Sequence, residues 1–432
     1  MKKMLAVAST LLVALSANAA QYPTLSERTP EAAGFDTTKL KAMDTWINQQ
    51  IDAGYPSFNL LIIKDDAVVY RKAYGWSKKY DQHTLMAKPL KATTDTMYDF
   101  ASNSKMYATN FALQKLIYEN KLSIDDLVSK HLPGFGDEAG DVIKGKNALK
   151  IKDLLHHTGG FPADPQYPNQ AIAKELYSQD KATTLEAIKR TPLEYQPGTK
   201  HIYSDVDYML LGFIVEAVTK LPLDRYVEET IYRPLGLTHT VFNPLKKGFK
   251  QEQIAATELN GNTRDGVINF PNIRTKTLWG EVHDEKAYYA MGGVSGHAGL
   301  FTNTGDAAVL MQLMLNGGGY GDVKLFDANT IKQFTSRSKE DPTFGLGWRV
   351  NGHSSMTPTF GTQANPQTYG HTGWTGTLTS IDPANKMAIV ILGNRPHSPV
   401  VDPKLNPNVF VSGMLPISTY GWVVDQVYGA LK

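Results

Sequence analysis

Two apolar hairpin patterns near opposite ends of the chain constrain its fold more than any other feature. Residues 58–74 read FNLLIIK-DD-AVVYRKAY, and residues 374–394 read WTGTLTSI-DPANK-MAIVILGN. Short apolar runs on either side of turn residues predict pairs of strands, and a hairpin pairs its strands antiparallel. We therefore expect one antiparallel sheet that is assembled from both ends of the 432-residue chain.

Helical patterns fill most of the sequence between the hairpins. Residues 36–53 predict an amphipathic helix, and residues 307–315 predict another that Asp306 caps and three glycines end. The predicted fold class is α/β, with an antiparallel sheet flanked by helices in a single catalytic domain over residues 20–432. The sheet is expected from residues of about 20–95 and 290–432, and a mostly helical insertion from about 100–285.

The N-terminus predicts export. A basic start (MKK) precedes an apolar run at residues 4–15 and the A-x-A sequence Ala17-Asn18-Ala19. This order is typical of a signal peptide over residues 1–19, with cleavage after Ala19. An uncleaved membrane anchor is the alternative, although the apolar run is short for a spanning helix. The net charge of +2 does not indicate a nucleic-acid partner, and the absence of cysteine excludes thiol chemistry.

The tetrad S-x-x-K occurs three times, and its context separates the three copies. Ser178 and Ser336 begin copies within charged stretches that indicate surface positions. Ser102 follows an apolar run, and the helix pattern that it opens is also apolar. A helix brings Ser102 and Lys105 onto one face, where the lysine can act as base for the serine hydroxyl. A buried helix with Ser102 as its N-cap is the alternative interpretation.

Two further stretches supply the other parts that such a pair needs. Tyr203 lies just before a predicted helix and can carry protons, or it can pack in the core while Ser204 or Asp205 caps that helix. The second stretch, HTGW, begins a strand at His371. The backbone N–H of Trp374 can serve with that of Ser102 as an oxyanion hole. An ordinary hairpin strand with a surface histidine is the alternative.

The order S-x-x-K, Y-x-[ND], [KH]-T-G resembles the serine β-lactamase and penicillin-binding protein superfamily. The spacing is similar to the branch with class C β-lactamases, low-molecular-weight DD-peptidases and related esterases. Supporting stretches cover most of the chain after the signal: TMYDFASNSK, LLHHTGGF, YQPGTKHIYSD, RPLGLTHT, GHAGLF, FGLGW and VILGNR.

The resemblance implies a β-lactamase/transpeptidase-like fold with the site in a cleft between sheet and helical domain. It implies Ser102 as the acylated nucleophile, Lys105 as base or proton shuttle and Tyr203 as proton relay. Asp205, His371, Thr372, Gly373 and Trp374 fall at its substrate-binding and oxyanion positions.

The implied activity is a periplasmic serine-type D-Ala-D-Ala carboxypeptidase. It would act on muramyl peptides of peptidoglycan and be acylated by β-lactams, without a metal or cofactor. Association with the inner membrane stays open. An esterase or β-lactamase on the same site is one alternative. A β-lactam- or peptidoglycan-binding protein with little turnover is the other.

Two positions depart from the family pattern. Asp205 stands where asparagine is usual, and if it faces Lys105 it will hold the lysine charged and weaken it as a base. His371 stands where most members have lysine, so we expect substrate binding to strengthen as His371 protonates below about pH 6.5, unless another group supplies the charge. His283 and Asp284 can line the cleft, although a structural role is the favoured interpretation.

Overall fold

The computed structural model of the protein describes residues 21–432. The predicted signal peptide at residues 1–19 lies outside the described residues. Within the described range, no helix combines the length and the apolar character that a membrane crossing requires.

A single large sheet joins strands from both ends of the chain. Its order is β1-β3-β2-β13-β12-β11-β10, with β4 paired to β3, and every pairing except the parallel β1–β3 contact is antiparallel. Strand β13 pairs with β2, so the two predicted hairpins meet at the centre of the sheet. Both hairpins and the α/β fold class are confirmed. The strands are β1 Ser26–Glu27, β2 Ser57–Lys64, β3 Ala67–Asp81, β4 Thr84–Lys91, β5 Tyr98–Asp99, β6 Val241–Phe242, β7 Leu300–Thr302, β8 Gly319–Tyr320, β9 Val323–Lys324, β10 Arg349–Val350, β11 Tyr369–Gly373, β12 Thr377–Asp382, β13 Met387–Gly393, β14 Val400–Asp402 and β15 Asn406–Phe410.

The central strands β2 and β13 are mostly apolar because both faces of the sheet are covered. Leu60 and Ile62 of β2 pack with helices near the two ends of the chain, whereas Leu61 and Ile63 pack with helices from the middle and later parts. Alternate side chains of a strand point to opposite faces, so a strand buried on both faces lacks polar alternation.

The helices form two layers on either side of this sheet. Helices α1 and α12 cover one face, and α2, α7, α9 and α10 contribute to the core on the other. The helices are α1 Thr37–Asp52, α2 Phe111–Tyr118, α3 Val128–His131, α4 Ile151–Leu155, α5 Gln170–Ala173, α6 Lys181–Arg190, α7 Asp205–Thr219, α8 Leu223–Val227, α9 Thr304–Leu315, α10 Ala328–Thr335, α11 Thr357–Phe360 and α12 Gly421–Gly429; π-helical turns occupy Lys105–Asn110, Glu228–Tyr232 and Lys286–Ala290.

The predicted cap of α9 is wrong by three residues. Asn303 is the N-cap, and its side chain accepts a hydrogen bond from the backbone N–H of Asp306. The Asp306 carboxylate instead accepts bonds from the His239 N–H and the Thr240 hydroxyl, at 2.7 and 3.0 Å. Asp306 is therefore used to hold a neighbouring loop, a role that only the tertiary structure creates.

Candidate active site

Ser102 lies in a tight turn between β5 and the π-helical turn that starts at Lys105. Ala101, directly before it, has a φ of 48°, which is unusual for a residue with a Cβ. The Asp99 carboxylate stabilises this conformation by accepting the N–H groups of Ala101 and His283, at 2.9 and 2.7 Å. Such backbone strain is held only where the surroundings enforce it, and it occurs at functional sites.

The Lys105 amine contacts three groups. Its Nζ lies 3.0 Å from Ser102 Oγ, 2.9 Å from Asp205 Oδ1 and 3.1 Å from the carbonyl oxygen of His297. The side chain is fully buried. In the neutral form, the amine can donate to the carboxylate and the carbonyl while it accepts the serine proton. The predicted serine–lysine contact is therefore present.

Asp205 disfavours the neutral form of Lys105, which is the form that can act as a base. Burial favours the neutral amine, but the charge of Asp205 and the contact with Tyr203 outweigh it and raise the pKa of Lys105. Burial also disfavours the Asp205 carboxylate, yet Lys105 and Lys286 hold the pKa of Asp205 well below its ordinary value. The alternative that Asp205 caps its helix is wrong, because Ser204 is the N-cap of α7 and accepts the N–H of Val206.

Tyr203 presents a free hydroxyl to the site. Among residues 21–432, the Tyr203 hydroxyl has no hydrogen-bond partner. The Lys105 Nζ lies 4.8 Å from the centre of its ring. Tyr203 lines two cavities that meet at Ser102, so its hydroxyl can reach a group bound to the serine.

The third motif forms the strand beside the nucleophile. Thr372, Gly373 and Trp374 line a cavity of about 380 Å³ together with Ser102. The backbone N–H groups of Ser102 and Trp374 donate to no protein group within the described residues, so both can point to an oxyanion. A Cβ on Gly373 would lie 2.7 Å from the Phe100 carbonyl oxygen. This glycine therefore lets the nucleophile turn pack closely on the strand.

His371 does not act as the predicted cation. It is 1% exposed and lies outside the lining of both cavities. Its Nδ1 donates to the Thr372 carbonyl oxygen at 2.7 Å. Burial, with the nearby charges of Arg349 and Lys105, lowers the pKa of His371 well below its ordinary value. Burial of His371 therefore disfavours the expected protonation below about pH 6.5.

Two arginines supply positive charge instead. Arg349 and Arg395 line the 380 Å³ cavity with Ser102 and Tyr203, and we call it the cationic cavity. Arg395 donates to the Trp374 carbonyl oxygen at 2.5 Å. The Arg349 guanidinium forms no salt bridge and donates no hydrogen bond among the described residues, and it lies 5.2 Å from the centre of the Phe344 ring. Neither arginine belongs to one of the three short motifs, which is why motif reasoning missed both.

A second cavity, of about 270 Å³, lies on the other side of Ser102. We call it the acidic cavity, because it is lined by Asp99, Asp164, Asp205, Asp284 and Glu285 and by the compensating cations Arg264 and Lys286. His283 also lines it, so the alternative that His283 and Asp284 line the cleft is present in the structure, together with structural contacts to Asp99, Glu258 and His297. Sequence reasoning did not single out Lys286; its one signal is a lysine placed directly before the apolar run AYYAM.

The remaining S-x-x-K tetrads are chance matches. Ser178 Oγ donates to the Asp180 carbonyl oxygen, and Ser336 Oγ donates to that of Lys332. Ser104, the second serine beside Lys105, accepts the Leu300 N–H at 3.0 Å and has a structural role.

One group of side chains has the composition of a metal site. Ligand atoms of Asp205, Asp284 and His297 lie within 4.8 Å of one another. However, the Lys286 ammonium lies 3.2 Å from Asp205 and 4.0 Å from Asp284, and Lys105 contacts Asp205 as well. A metal ion there would meet two fixed positive charges, so we assign it no metal.

The chain is similar to known proteins in sequence and in fold. A family model described as Beta-lactamase matches residues 43–413. A relative from Escherichia coli (strain K12), named "Putative D-alanyl-D-alanine carboxypeptidase", is 73% identical over 432 residues and 100% of both chains. A relative of the same name from Salmonella typhimurium is 72% identical over 427 residues and 99% of both chains.

Solved structures share the fold at low sequence identity. "EstCE1, a hydrolase with promiscuous acyltransferase activity" superposes with a TM-score of 0.67 at 21% identity, covering 91% of this chain and 99% of that one. The octameric penicillin-binding protein homologue from Pyrococcus abyssi superposes with a TM-score of 0.62 at 19% identity, covering 83% and 74%.

Proposed function

The chain belongs to the beta-lactamase family, and on this premise we propose that it is a serine-type D-Ala-D-Ala carboxypeptidase. Its substrates would be peptidoglycan peptides, and β-lactams would acylate the same serine. Family and fold alone support only a hydrolase of this kind, because one set of catalytic groups serves peptides, esters and β-lactams.

The contacts of Ser102 support acyl transfer. As Ser102 Oγ attacks the carbonyl carbon, its proton passes to Lys105 Nζ, 3.0 Å away. The negative charge that develops on the carbonyl oxygen is stabilised by the N–H groups of Ser102 and Trp374. The C–N bond then breaks as the Tyr203 hydroxyl gives its proton to the leaving amine, and Lys105 passes the proton that it took from Ser102 on to Tyr203. Water hydrolyses the resulting ester and releases the shortened peptide.

The Arg349 guanidinium has no hydrogen-bond or ion-pair partner among residues 21–432. This observation supports a substrate that carries a carboxylate. A partly buried charge without a partner is costly, so it is retained where a ligand supplies the opposite charge. The same cavity holds Ser102, and Arg395 adds a second cation. A peptide that ends in D-alanine carries its carboxylate on the residue directly after the attacked bond. A penicillin carries its carboxylate at the equivalent position relative to its lactam bond. A simple ester lacks this group and leaves Arg349 unpaired.

The ion pair of Lys105 with Asp205 favours slow turnover as a second candidate. A lysine that is held charged is a poor base in both half-reactions. A protein of this kind would be acylated by β-lactams and release them slowly. It would then act mainly as a β-lactam- or peptidoglycan-binding protein.

The place of action is also a proposal. The basic and apolar N-terminal residues followed by Ala17-Asn18-Ala19 support export to the periplasm, where peptidoglycan is found. Retention at the inner membrane would follow if the signal is not cleaved.

Intact-protein mass spectrometry after incubation with penicillin tests the proposal. We expect a mass gain of one drug molecule in the wild type and none in Ser102→Ala. Ser336→Ala, from a chance tetrad, is the matched control and should keep the adduct. The absence of any wild-type adduct would contradict the proposed β-lactam acylation.

A substrate panel then separates the candidates. Release of D-alanine from a D-Ala-D-Ala peptide supports the carboxypeptidase. Cleavage of short esters alone would support an esterase, and rapid hydrolysis of a chromogenic cephalosporin a β-lactamase. A stable adduct without turnover of any substrate would support the binding protein.

A further inference from the structure

We propose that Lys286 is a positioning residue that allows Asp205 to stand beside the catalytic lysine. Its ammonium keeps the Asp205 carboxylate paired when Lys105 gives up its proton. The inference rests on the proposed acyl-serine function and explains how the site accommodates aspartate at a position where the family pattern has asparagine.

Asp205 bridges the two lysines. Its Oδ1 lies 2.9 Å from Lys105 Nζ, and its Oδ2 lies 3.2 Å from Lys286 Nζ. The Lys286 side chain is 3% exposed, so this charge is almost as buried as that of Lys105. The carboxylate therefore has one oxygen for each ammonium.

The charged surroundings of Lys286 are acidic. Its Nζ contacts Asp164 of the loop before α5 and lies 4.0 Å from Asp284, two residues before the π-helical turn that Lys286 begins. Asp284 is also paired with His297 Nε2 at 2.8 Å. These carboxylates, with Asp205, raise the pKa of Lys286 well above its ordinary value against the effect of burial. Lys286 thus stays charged while Lys105 titrates.

The loop after Lys286 also reaches Lys105. The His297 carbonyl oxygen accepts a hydrogen bond from Lys105 Nζ at 3.1 Å, and the Thr109 hydroxyl donates one to the Gly296 carbonyl oxygen at 2.7 Å. Tyr203, His157, His371 and Asp207 are further titratable groups that are coupled to Lys105. Both histidines have pKa values well below normal, so neither brings a competing charge at neutral pH.

The balance of charges around Asp205 explains why Lys286 is needed. Without Lys286, deprotonation of Lys105 would leave a largely buried carboxylate with no ammonium group beside it, which is unfavourable. With Lys286, the Asp205–Lys286 ion pair remains and Lys105 can become a neutral base. In an asparagine-containing site there is no carboxylate to compensate, and no second lysine is required.

The test compares acylation rates by a fluorescent penicillin from pH 5 to pH 9. We expect Lys286→Met to displace the rising limb of the log rate towards alkaline pH by about one to two units, the effect of one nearby charge at an effective dielectric constant of about 20. At a fixed pH this is a 10- to 100-fold loss. Asp205→Asn should displace the limb towards acid pH.

The double variant Asp205→Asn with Lys286→Met is decisive. It removes one charge of each sign, so we expect most of the rate lost in Lys286→Met to return. Lys146→Met is the matched control, because Lys146 is equally buried and paired with Asp141 at 3.2 Å outside both cavities. It should leave the pH profile unchanged. A double variant as slow as Lys286→Met, or a Lys286→Met limb that does not move, would overturn the inference.

A direct titration separates this inference from the proposed function. The ¹³Cε shift of Lys105 in ¹³C-lysine-labelled protein, assigned with Lys105→Arg, reports its protonation without any substrate. Relative to the wild type, Lys286→Met should raise that pKa and Asp205→Asn should lower it, whether or not penicillin reacts. If Lys286→Met does not fold, Asp205→Asn alone decides: no fall in the Lys105 pKa contradicts the proposal.

Discussion

Arg349→Gln should lower kcat/KM for substrates that carry a carboxylate much more than for neutral substrates. The Arg349 guanidinium has no acceptor in residues 21–432, yet it lines the cavity that holds Ser102. A hydrogen bond to a charged group contributes about 1.5–3 kcal/mol. Since 1.36 kcal/mol is a factor of ten in rate, kcat/KM for a D-Ala-D-Ala peptide should fall by about 10- to 150-fold. A neutral short-chain ester has no carboxylate, and its kcat/KM should change by less than about threefold.

The assay measures kcat/KM for both substrates on the same preparation. Arg233→Gln is the matched control, because the Arg233 side chain is 68% exposed and its one ion pair within residues 21–432 is with Glu228. The melting temperature of Arg349→Gln should stay the same or rise, since the variant removes an unpaired charge. Equal losses on peptide and ester would refute the reasoning and give Arg349 a role in shaping the site. An unchanged peptide rate would assign the carboxylate to Arg395.

Three further predictions address proton relay, packing and pH stability. Tyr203→Phe should slow acylation about 100-fold or more without lowering the melting temperature, because its hydroxyl has no partner to lose; an unchanged rate would exclude Tyr203 as the proton carrier. Gly373→Ala should lower the free energy of unfolding by about 1–3 kcal/mol in denaturant titrations, because its Cβ would lie 2.7 Å from the Phe100 carbonyl oxygen; a wild-type value would mean that the turn relaxes. Burial lowers the pKa of His397 to about 4. As the pH falls from 6.5 to about 4, His397 is protonated in the unfolded chain but not in the folded protein, so the free energy of unfolding decreases. The loss is roughly 3 kcal/mol at 1.36 kcal/mol per pH unit, and His397→Gln should lack it when unfolding is compared at pH 7 and pH 4.5; an equal loss in the variant would refute the assignment.

The local elements were predictable because their signals are local. The turn at Asp65 and Asp66, both with positive φ, and the helix that Asp36 caps follow from residue types that favour these conformations. The contact of Ser102 with Lys105 follows from a spacing of three residues at the start of a helical segment. The fold class followed from the position of the two hairpins in the chain.

The charges around the nucleophile were only partly predictable. The substitution of asparagine by Asp205 was visible in the sequence, but the lysine that compensates it is 81 residues further along the chain, in no recognised motif. The interpretation of His371 as a cation failed because its burial depends on packing from other elements. Side chains brought together by distant segments leave no periodic trace in the sequence.

The sequence by itself determined the strands of both hairpins, the principal helices and the identity of the serine–lysine pair, since each depends on neighbours within a few residues. The tertiary structure alone decided which charges the pair experiences. It placed Asp205 between two lysines, enclosed His371 as a neutral side chain and left Arg349 without a partner beside Ser102. Electrostatic energies depend on distance and burial in space, and neither quantity can be obtained from separation along the chain.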